Sequence, residues 1–404
     1  MDIEAARDSE AGQHHRETKH TKPAQERAYL VALDHEGSRR GLMPPGESLR
    51  ELGRLVRTSG GVVVGQATQR RPHPDPATYI GSGKMDEVKA AREDTGYTMV
   101  VFDEQLSPTQ QLRLESGLGV KVLDRSALIL DIFASRARTR EASLQVELAQ
   151  HEYLLPRLRG QWQHLERNEG AIGLRGPGET QLETDRRLIG LRISRLKKDI
   201  SQVRKQRALH RRRRERDGAP VVALVGYTNA GKSSLLRALA GVEVFAADAL
   251  FATLDPLTRR VETPGGDAFL VTDTVGFIQK LPTQLISAFR ATLEELESAD
   301  LLLHVVDATS PALDAQCATV METLTGLGLS EKPMVTVLNK ADGLLRADGA
   351  PVEAEGDLAT AQVVNPSPDS SVLLTSATRG WGIEALRRRL AFEVLGAPVP
   401  FAVR

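Results

Sequence analysis

The sequence predicts an α/β chain in three parts: a small N-terminal α/β subdomain with a parallel sheet, an antiparallel helical hairpin, and a second α/β domain around a phosphate-binding loop. Three observations carry this. Short apolar runs alternate with helical patterns over 27–135 and again over 218–396, the rhythm of parallel sheets crossed by helices. Between them, 136–217 turns to helix formers and charge. Where the second alternation starts, the run Val221-Val222-Ala223-Leu224-Val225 feeds Gly226-Tyr227-Thr228-Asn229-Ala230-Gly231-Lys232-Ser233, which opens Ser234-Leu235-Leu236-Arg237-Ala238-Leu239-Ala240.

Composition bounds the answer. Hydrophobic residues make up 41% of the 404, enough for a sizeable core shared by two or three domains. Lys and Arg number 53 and so do Asp and Glu, so any attraction to nucleic acid must come from local charge. The single cysteine, Cys317, excludes an internal disulfide framework and fits a reducing compartment. Met1-Asp2-Ile3-Glu4 is acidic and no apolar run could span a bilayer, so a soluble, cytoplasmic chain with no membrane contact is expected.

Residues 1–26 are polar and read as a disordered tail; His14, His15 and His20 lie in it without a spacing that would fix a metal. The 27–135 subdomain is read from Ala28–Leu33, the helical pattern of Leu49, Leu52 and Leu55, Val62–Val64, Tyr97–Phe102, Gln110–Leu114 and Val120–Leu123. Inside it, Tyr79-Ile80-Gly81-Ser82-Gly83-Lys84-Met85 imitates a phosphate loop, with Thr78 where the first glycine would stand and Met85 where the hydroxyl would. It reads either as a glycine-shaped strand-to-helix turn or as a second anion or nucleotide site.

The helical stretch 136–217 carries two stripes. Ile189, Ile193, Leu196, Ile200 and Val203 alternate steps of four and three, and Leu144, Leu148, Leu155 and Leu158 form a looser row. Asn168–Glu179 between them is too rich in glycine to continue either helix, so a hairpin with a glycine-rich tip is predicted. Its flanks are basic (Arg186, Arg187, Arg192, Arg195, Lys197, Lys198), and it ends in Arg211-Arg212-Arg213-Arg214. Such a run is a solvated face or a track for a phosphate backbone; with Arg175 near the tip, RNA contact is the reading taken.

The chemistry sits in 218–396, ahead of a short tail at 397–404. A glycine-bounded loop opening a helix aims backbone N–H groups at a diphosphate, so Gly226 to Ser234 are assigned to nucleotide binding. Lys232 adds charge and Ser233 a hydroxyl for Mg²⁺. Phe251-Ala252-Thr253-Leu254-Asp255 has the position of a mobile switch; Thr253 is the candidate for the second hydroxyl on Mg²⁺, with Thr258 as rival. In Asp273-Thr274-Val275-Gly276, the carboxylate can hold a water on Mg²⁺ and the Gly276 N–H can meet a γ-phosphate oxygen. Lys232, Thr253 and Gly276 are therefore the catalytic candidates. Asn339-Lys340-Ala341-Asp342 closes another buried strand: the carboxylate suits the paired donors of guanine, and Ser376-Ala377 offers a backbone N–H to its carbonyl. The order and spacing of these motifs identify GTP as substrate. Phe277 follows Gly276 where many such enzymes have a water-orienting glutamine, so slow hydrolysis completed by a partner is expected.

Beyond these motifs, Tyr79–Lys84, Phe102–Pro108, Arg136–Ala142 with Leu144–Gln150, and Gly173–Glu183 resemble the HflX family of translation-factor-related GTPases over about Arg27 to Trp381. The resemblance implies an N-terminal subdomain, a helical hairpin and a P-loop GTPase (G) domain. It also implies binding to the large ribosomal subunit and its RNA, stimulation of GTP hydrolysis there, and a role in rescuing stalled ribosomes by splitting them under stress. In that picture the tip around Arg175 probes ribosomal RNA, and ATP binding in the N-terminal part keeps the Gly81–Lys84 turn open as a second site. Family members commonly carry a further small domain, whereas this chain ends shortly after its last helix, so no function of that domain carries over. A free monomer is expected, and a GTP-gated protein-interaction module without RNA contact is the competing function.

Overall fold

The computed structural model describes residues 25–35, 43–158, 177–216, 219–241, 250–263, 266–282, 285, 295–363 and 372–396. The first sheet has strands β1 (Arg27–Asp34), β2 (Val62–Arg70), β3 (Met99–Phe102) and β4 (Lys121–Asp124) in the order β2-β1-β3-β4, all parallel. Helices α1 (Pro45–Thr58), α2 (Ser82–Thr95) and α3 (Pro108–Leu118) make the crossovers. Local chemistry sets their ends. Ser107 and Gln110 form a reciprocal capping box, and Gly119 takes the left-handed conformation that ends α3. The Gln110–Leu114 run thus lies inside α3.

Asp124 caps α4 (Arg125–Arg136) and Thr139 caps α5 (Arg140–Leu154), each accepting a backbone N–H with its side chain. Pro156 ends α5 in a 3₁₀ turn, Leu155–Arg157, so Leu155 and Leu158 fall beyond the α-helix that carries Leu144 and Leu148. Helix α6 runs from Pro177 to Arg216, 40 residues, or about 60 Å. Its start takes Gly178 and Glu179 out of the predicted linker, because proline at the first turn has φ preset and needs no N–H partner. Helices α5 and α6 pack through Leu148, Leu196 and Ile200, with Glu147–Arg192 and Glu152–Lys197 ion pairs beside them at 2.6 and 2.8 Å. Arg211 to Arg214 lie in the last turns of α6; Arg175 lies outside the described residues.

The second sheet has β5 (Val221–Gly226), β6 (Leu257–Glu262), β7 (Ala268–Asp273), β8 (Leu301–Asp307), β9 (Met334–Asn339) and β10 (Leu373–Leu374) in the order β10-β9-β8-β5-β7-β6. Only β6 is antiparallel, paired with β7. Helices α7 (Lys232–Ala240), α8 (Leu313–Gly326) and α9 (Ile383–Leu395) pack around it. One apolar core joins the two sheets' domains: Phe133 of α4 meets Phe251 edge-on at 4.6 Å between ring centroids, in the same cluster as Val275, Phe277 and Ile278. Among the described residues no helix is long and apolar enough to cross a membrane.

Candidate functional site

The loop after β5 needs its glycines for space as well as conformation. A Cβ on Gly226 would lie 2.2 Å from the Val305 carbonyl oxygen, and one on Gly231 2.3 Å from Asn339 Nδ2. Lys232, at the first turn of α7, is buried and donates its Nζ to the carbonyls of Gly226 and Tyr227 at 3.2 and 2.9 Å. Burial pulls its pKa down to about 8; Asp273 opposes that shift and Lys340 adds to it. Thr228, Asn229, Gly231, Lys232, Ser233 and Ser234 form one wall of a cleft. Phe251, Ala252, Thr253, Thr274 and Gly276 form the other.

The three residues predicted for the metal converge. Ser233 Oγ lies 2.6 Å from Asp273 Oδ2 and 2.7 Å from Thr253 Oγ1. Asp273 is 0% exposed, burial raises its pKa against the pull of Lys232, and its Oδ1 has no hydrogen-bond partner. Two hydroxyls and a buried carboxylate with an unused oxygen fit a hard, hydrated divalent cation. Thr258 instead meets Thr272 at 2.9 Å on the β6–β7 ladder. Gly276 is pressed against the loop: a Cβ there would lie 2.7 Å from Thr228 Cα and 2.9 Å from Lys232 Nζ. The next residue fixes that approach, since Phe277 N–H donates to Gly226 at 3.0 Å and its carbonyl accepts Thr228 N–H at 2.7 Å.

At the other end, Asn339 Nδ2 donates to the Ala230 carbonyl at 2.9 Å, and Asn339 Oδ1 accepts the Ala377 N–H at 3.1 Å. That N–H, expected to face a base carbonyl, here orders Asn339. The Ser376 N–H goes to the Trp381 carbonyl, and Ser376 Oγ donates to Asp342 Oδ1 at 2.7 Å. Lys340 takes a left-handed φ of 64° and pairs with Asp307 at 2.7 Å, while Ala341 N–H donates to the Thr375 carbonyl at 3.0 Å.

Several predicted residues turn their side chains elsewhere. Leu254 and Val275 enter the apolar core, and Asp255 accepts the N–H groups of Arg138 and Thr139, each at 3.1 Å. Tyr227, 3% exposed, reaches into the N-terminal subdomain, where its Oη donates to Glu51 at 2.6 Å. Sequence reasoning missed the cluster beneath it, Glu51, Asp103, Arg125, Gln279 and Lys280, because no spacing links residues brought together from four separate segments. In the second glycine turn, Gly81 N–H donates to Gln69 Oε1 at 2.9 Å, and Lys84 folds back onto Glu87 at 2.6 Å.

Comparison with known proteins adds sequence likeness to this geometry. Residues 46–134 match the family model "GTP-binding GTPase N-terminal", 136–214 match "GTP-binding GTPase Middle Region", and 221–340 match "50S ribosome-binding GTPase". The chain is 49% identical to a GTPase HflX of Caldanaerobacter subterraneus subsp. tengcongensis over 317 residues, 78% of this chain and 73% of the relative. It is 47% identical to GTPase HflX of Escherichia coli K12 over 298 residues, 74% and 70% of the two chains. With the relative from Flavobacterium psychrophilum, also a GTPase HflX, it shares 44% over 354 residues, 85% of each. Among solved structures, a GTP-binding protein of Sulfolobus solfataricus in complex with GDP aligns over 92% of this chain and 99% of that one, at 25% identity and a TM-score of 0.44.

Proposed function

The chain belongs to the HflX family of GTPases, and from that premise we infer that it is a Mg²⁺-dependent GTPase acting on the large ribosomal subunit, in splitting or rescue of ribosomes under stress. The convergence of Ser233, Thr253 and Asp273 beside Lys232 carries the hydrolytic part of this reading. In it, the amides of Asn229 to Ser233 and the Lys232 ammonium hold the β- and γ-phosphates and take up the charge that develops on the transferred group. Ser233 and Thr253 would hold Mg²⁺, with Asp273 acting through water. Bound there, the ion would neutralise charge on the phosphates. Gly276 N–H faces the γ-phosphate, and Asn339 and Asp342 select guanine.

Phe277 is 6% exposed and packed in the core, so it orients no water, which supports slow intrinsic turnover completed by a partner. Two features support the ribosome as that partner: the match of 221–340 to a ribosome-binding GTPase model, and an α6 helix of about 60 Å with Arg211 to Arg214 in its last turns.

The test is GTP hydrolysis by the purified chain, alone and with large ribosomal subunits, with Asp342→Asn and ATP as controls. A many-fold stimulation that Asp342→Asn removes supports the reading. Binding of nucleotide with hydrolysis indifferent to the subunits would instead favour a GTP-gated module for a protein partner.

A further inference from the structure

Tyr227 is the second residue of the phosphate loop, yet its ring is buried against the N-terminal subdomain. Its Oη makes two hydrogen bonds, donating to Glu51 Oε2 at 2.6 Å and accepting the Gln279 N–H at 3.1 Å. Glu51 gives its other oxygen to Arg125 Nη1, also at 2.6 Å. Arg125, 1% exposed, spreads the rest of its guanidinium over Asp103 Oδ1, at 3.2 Å from Nε and 2.9 Å from Nη2, and over the Gln279 carbonyl at 3.3 Å. Both backbone polar groups of Gln279 are therefore held by side chains of one network, and its side-chain Oε1 accepts the Met43 N–H at 3.2 Å. Next in the chain, Lys280 sits at a left-handed φ of 57° and pairs with Asp103 and Glu104 at 2.5 and 2.8 Å.

A buried ionic cluster of this kind is weak as a source of net stability, since desolvation offsets much of the attraction, but it fixes geometry. What it fixes here is a segment starting three residues after Gly276. Phe277 and Ile278 between them are packed in the core, and Phe277 is bonded on both sides to the phosphate loop. Gly276 is thus clamped between the loop it touches and a segment that the N-terminal subdomain grips. Hydrolysis depends on donors held in place where charge develops, so a clamp on Gly276 bears on rate more than on nucleotide binding.

We propose that Tyr227 is a positioning residue for GTP hydrolysis: its hydroxyl, oriented by Glu51 and Arg125 of the N-terminal subdomain, sets the register of the Gly276–Lys280 segment against the phosphate loop. The proposal rests on the hydrolytic reading above and extends it, making the N-terminal subdomain part of the catalytic unit. The Tyr227 side chain acts through Gly276 and touches no phosphate.

The test uses the full chain. Tyr227→Phe keeps the ring and its packing, leaves Glu51 paired with Arg125, and strands the Gln279 N–H. Single-turnover hydrolysis should slow by roughly ten- to a hundredfold while affinities for fluorescent GTP and GDP analogues stay within about twofold. Glu51→Gln should act in the same direction, and Tyr227→Phe with Glu51→Gln together should be no worse than the more severe single change, since both cut one chain of contacts. If Glu51→Gln does not fold, Lys280→Ala replaces it, with the same loss of rate at unchanged affinity expected. Unchanged turnover in Tyr227→Phe, additive losses, or a parallel fall of rate, affinity and melting temperature would each overturn the proposal. A wild-type chain that binds but never hydrolyses GTP would fell the hydrolytic reading itself, a result told apart by measuring it first.

Discussion

Asn339 Nδ2 donates to the carbonyl of Ala230 at 2.9 Å, across 109 residues of sequence, so the end of β9 and the phosphate loop share one buried hydrogen bond. The same amide orders the Ser376-Ala377 turn through its oxygen. Asn339 is therefore a tie between three loops, whereas Asp342 is half-buried and accepts from two hydroxyls of one turn, Ser376 at 2.7 Å and Thr378 at 3.5 Å.

The two residues should separate in experiment. Asn339→Ala loses three buried hydrogen bonds, to Ala230, Ala377 and, at a longer 3.4 Å, Thr375, the two shorter ones worth about 1 kcal/mol each, and should lower the melting temperature by several degrees as well as weaken GTP. Asp342→Asn should leave the melting temperature near wild type and weaken GTP by about a hundredfold, from two lost bonds to a charged acceptor. Thermal melts and fluorescent-nucleotide titrations check both, and a wild-type melting curve for Asn339→Ala would contradict the tie.

Asp273 separates function from stability in the opposite sense. Its carboxylate is wholly buried with one oxygen unpartnered, and burial pushes its pKa up, so the charged form is costly in the free chain. Asp273→Asn should melt no lower than wild type while GTP turnover falls at least about a hundredfold and no longer responds to added MgCl₂. A marked drop in melting temperature would mean that Asp273 is structural.

Phe277 should not be replaceable by the water-orienting glutamine that many GTPases use. The side chain lies in the core with Phe251 and Ile278, so Phe277→Gln removes packing and buries an amide, destabilising the chain by about 2–4 kcal/mol in a denaturant titration. Turnover should not rise. A faster enzyme of unchanged stability would show that the segment is freer than this packing allows.

These contrasts mark what the sequence can express. Gly226, Gly231, Lys232 and Ser233 lie within eight residues of one another, and Asp273 and Asn339 end apolar runs, so local patterns already placed them at the carboxyl ends of strands in one sheet. The position of Thr253 in the switch-like stretch already favours it over Thr258, and the fold adds what five residues of separation cannot express: Thr253 Oγ1 faces Ser233 while Thr258 meets Thr272. The Glu51–Arg125–Asp103 cluster left no trace. Each is an ordinary charged residue in an amphipathic context, and all three are buried where Tyr227, Gln279 and Lys280 of the second domain meet them. The start of α6 at Pro177 was masked by the glycines beside it, where composition outweighed the proline's positional meaning.

His304 gives a prediction about acid sensitivity. It lies on β8 opposite Val225, 4% exposed, and burial holds its pKa down at about 4, with Lys232 adding to the shift. In the unfolded chain the same imidazole titrates near 6.5. Between these values the unfolded state binds a proton that the folded state does not, so stability rises with pH there. The contribution is whole above about 6.5 and is lost as pH falls toward about 4, a change of roughly 3 kcal/mol. Other carboxylates titrate in the same window, so the informative quantity is the difference between wild type and His304→Asn in urea denaturation at each pH. Above pH 7 that difference should be constant, and it should shift in favour of the variant as the pH is lowered. A difference independent of pH from 7 to 4 would mean that His304 finds solvent or a carboxylate partner and charges within the fold.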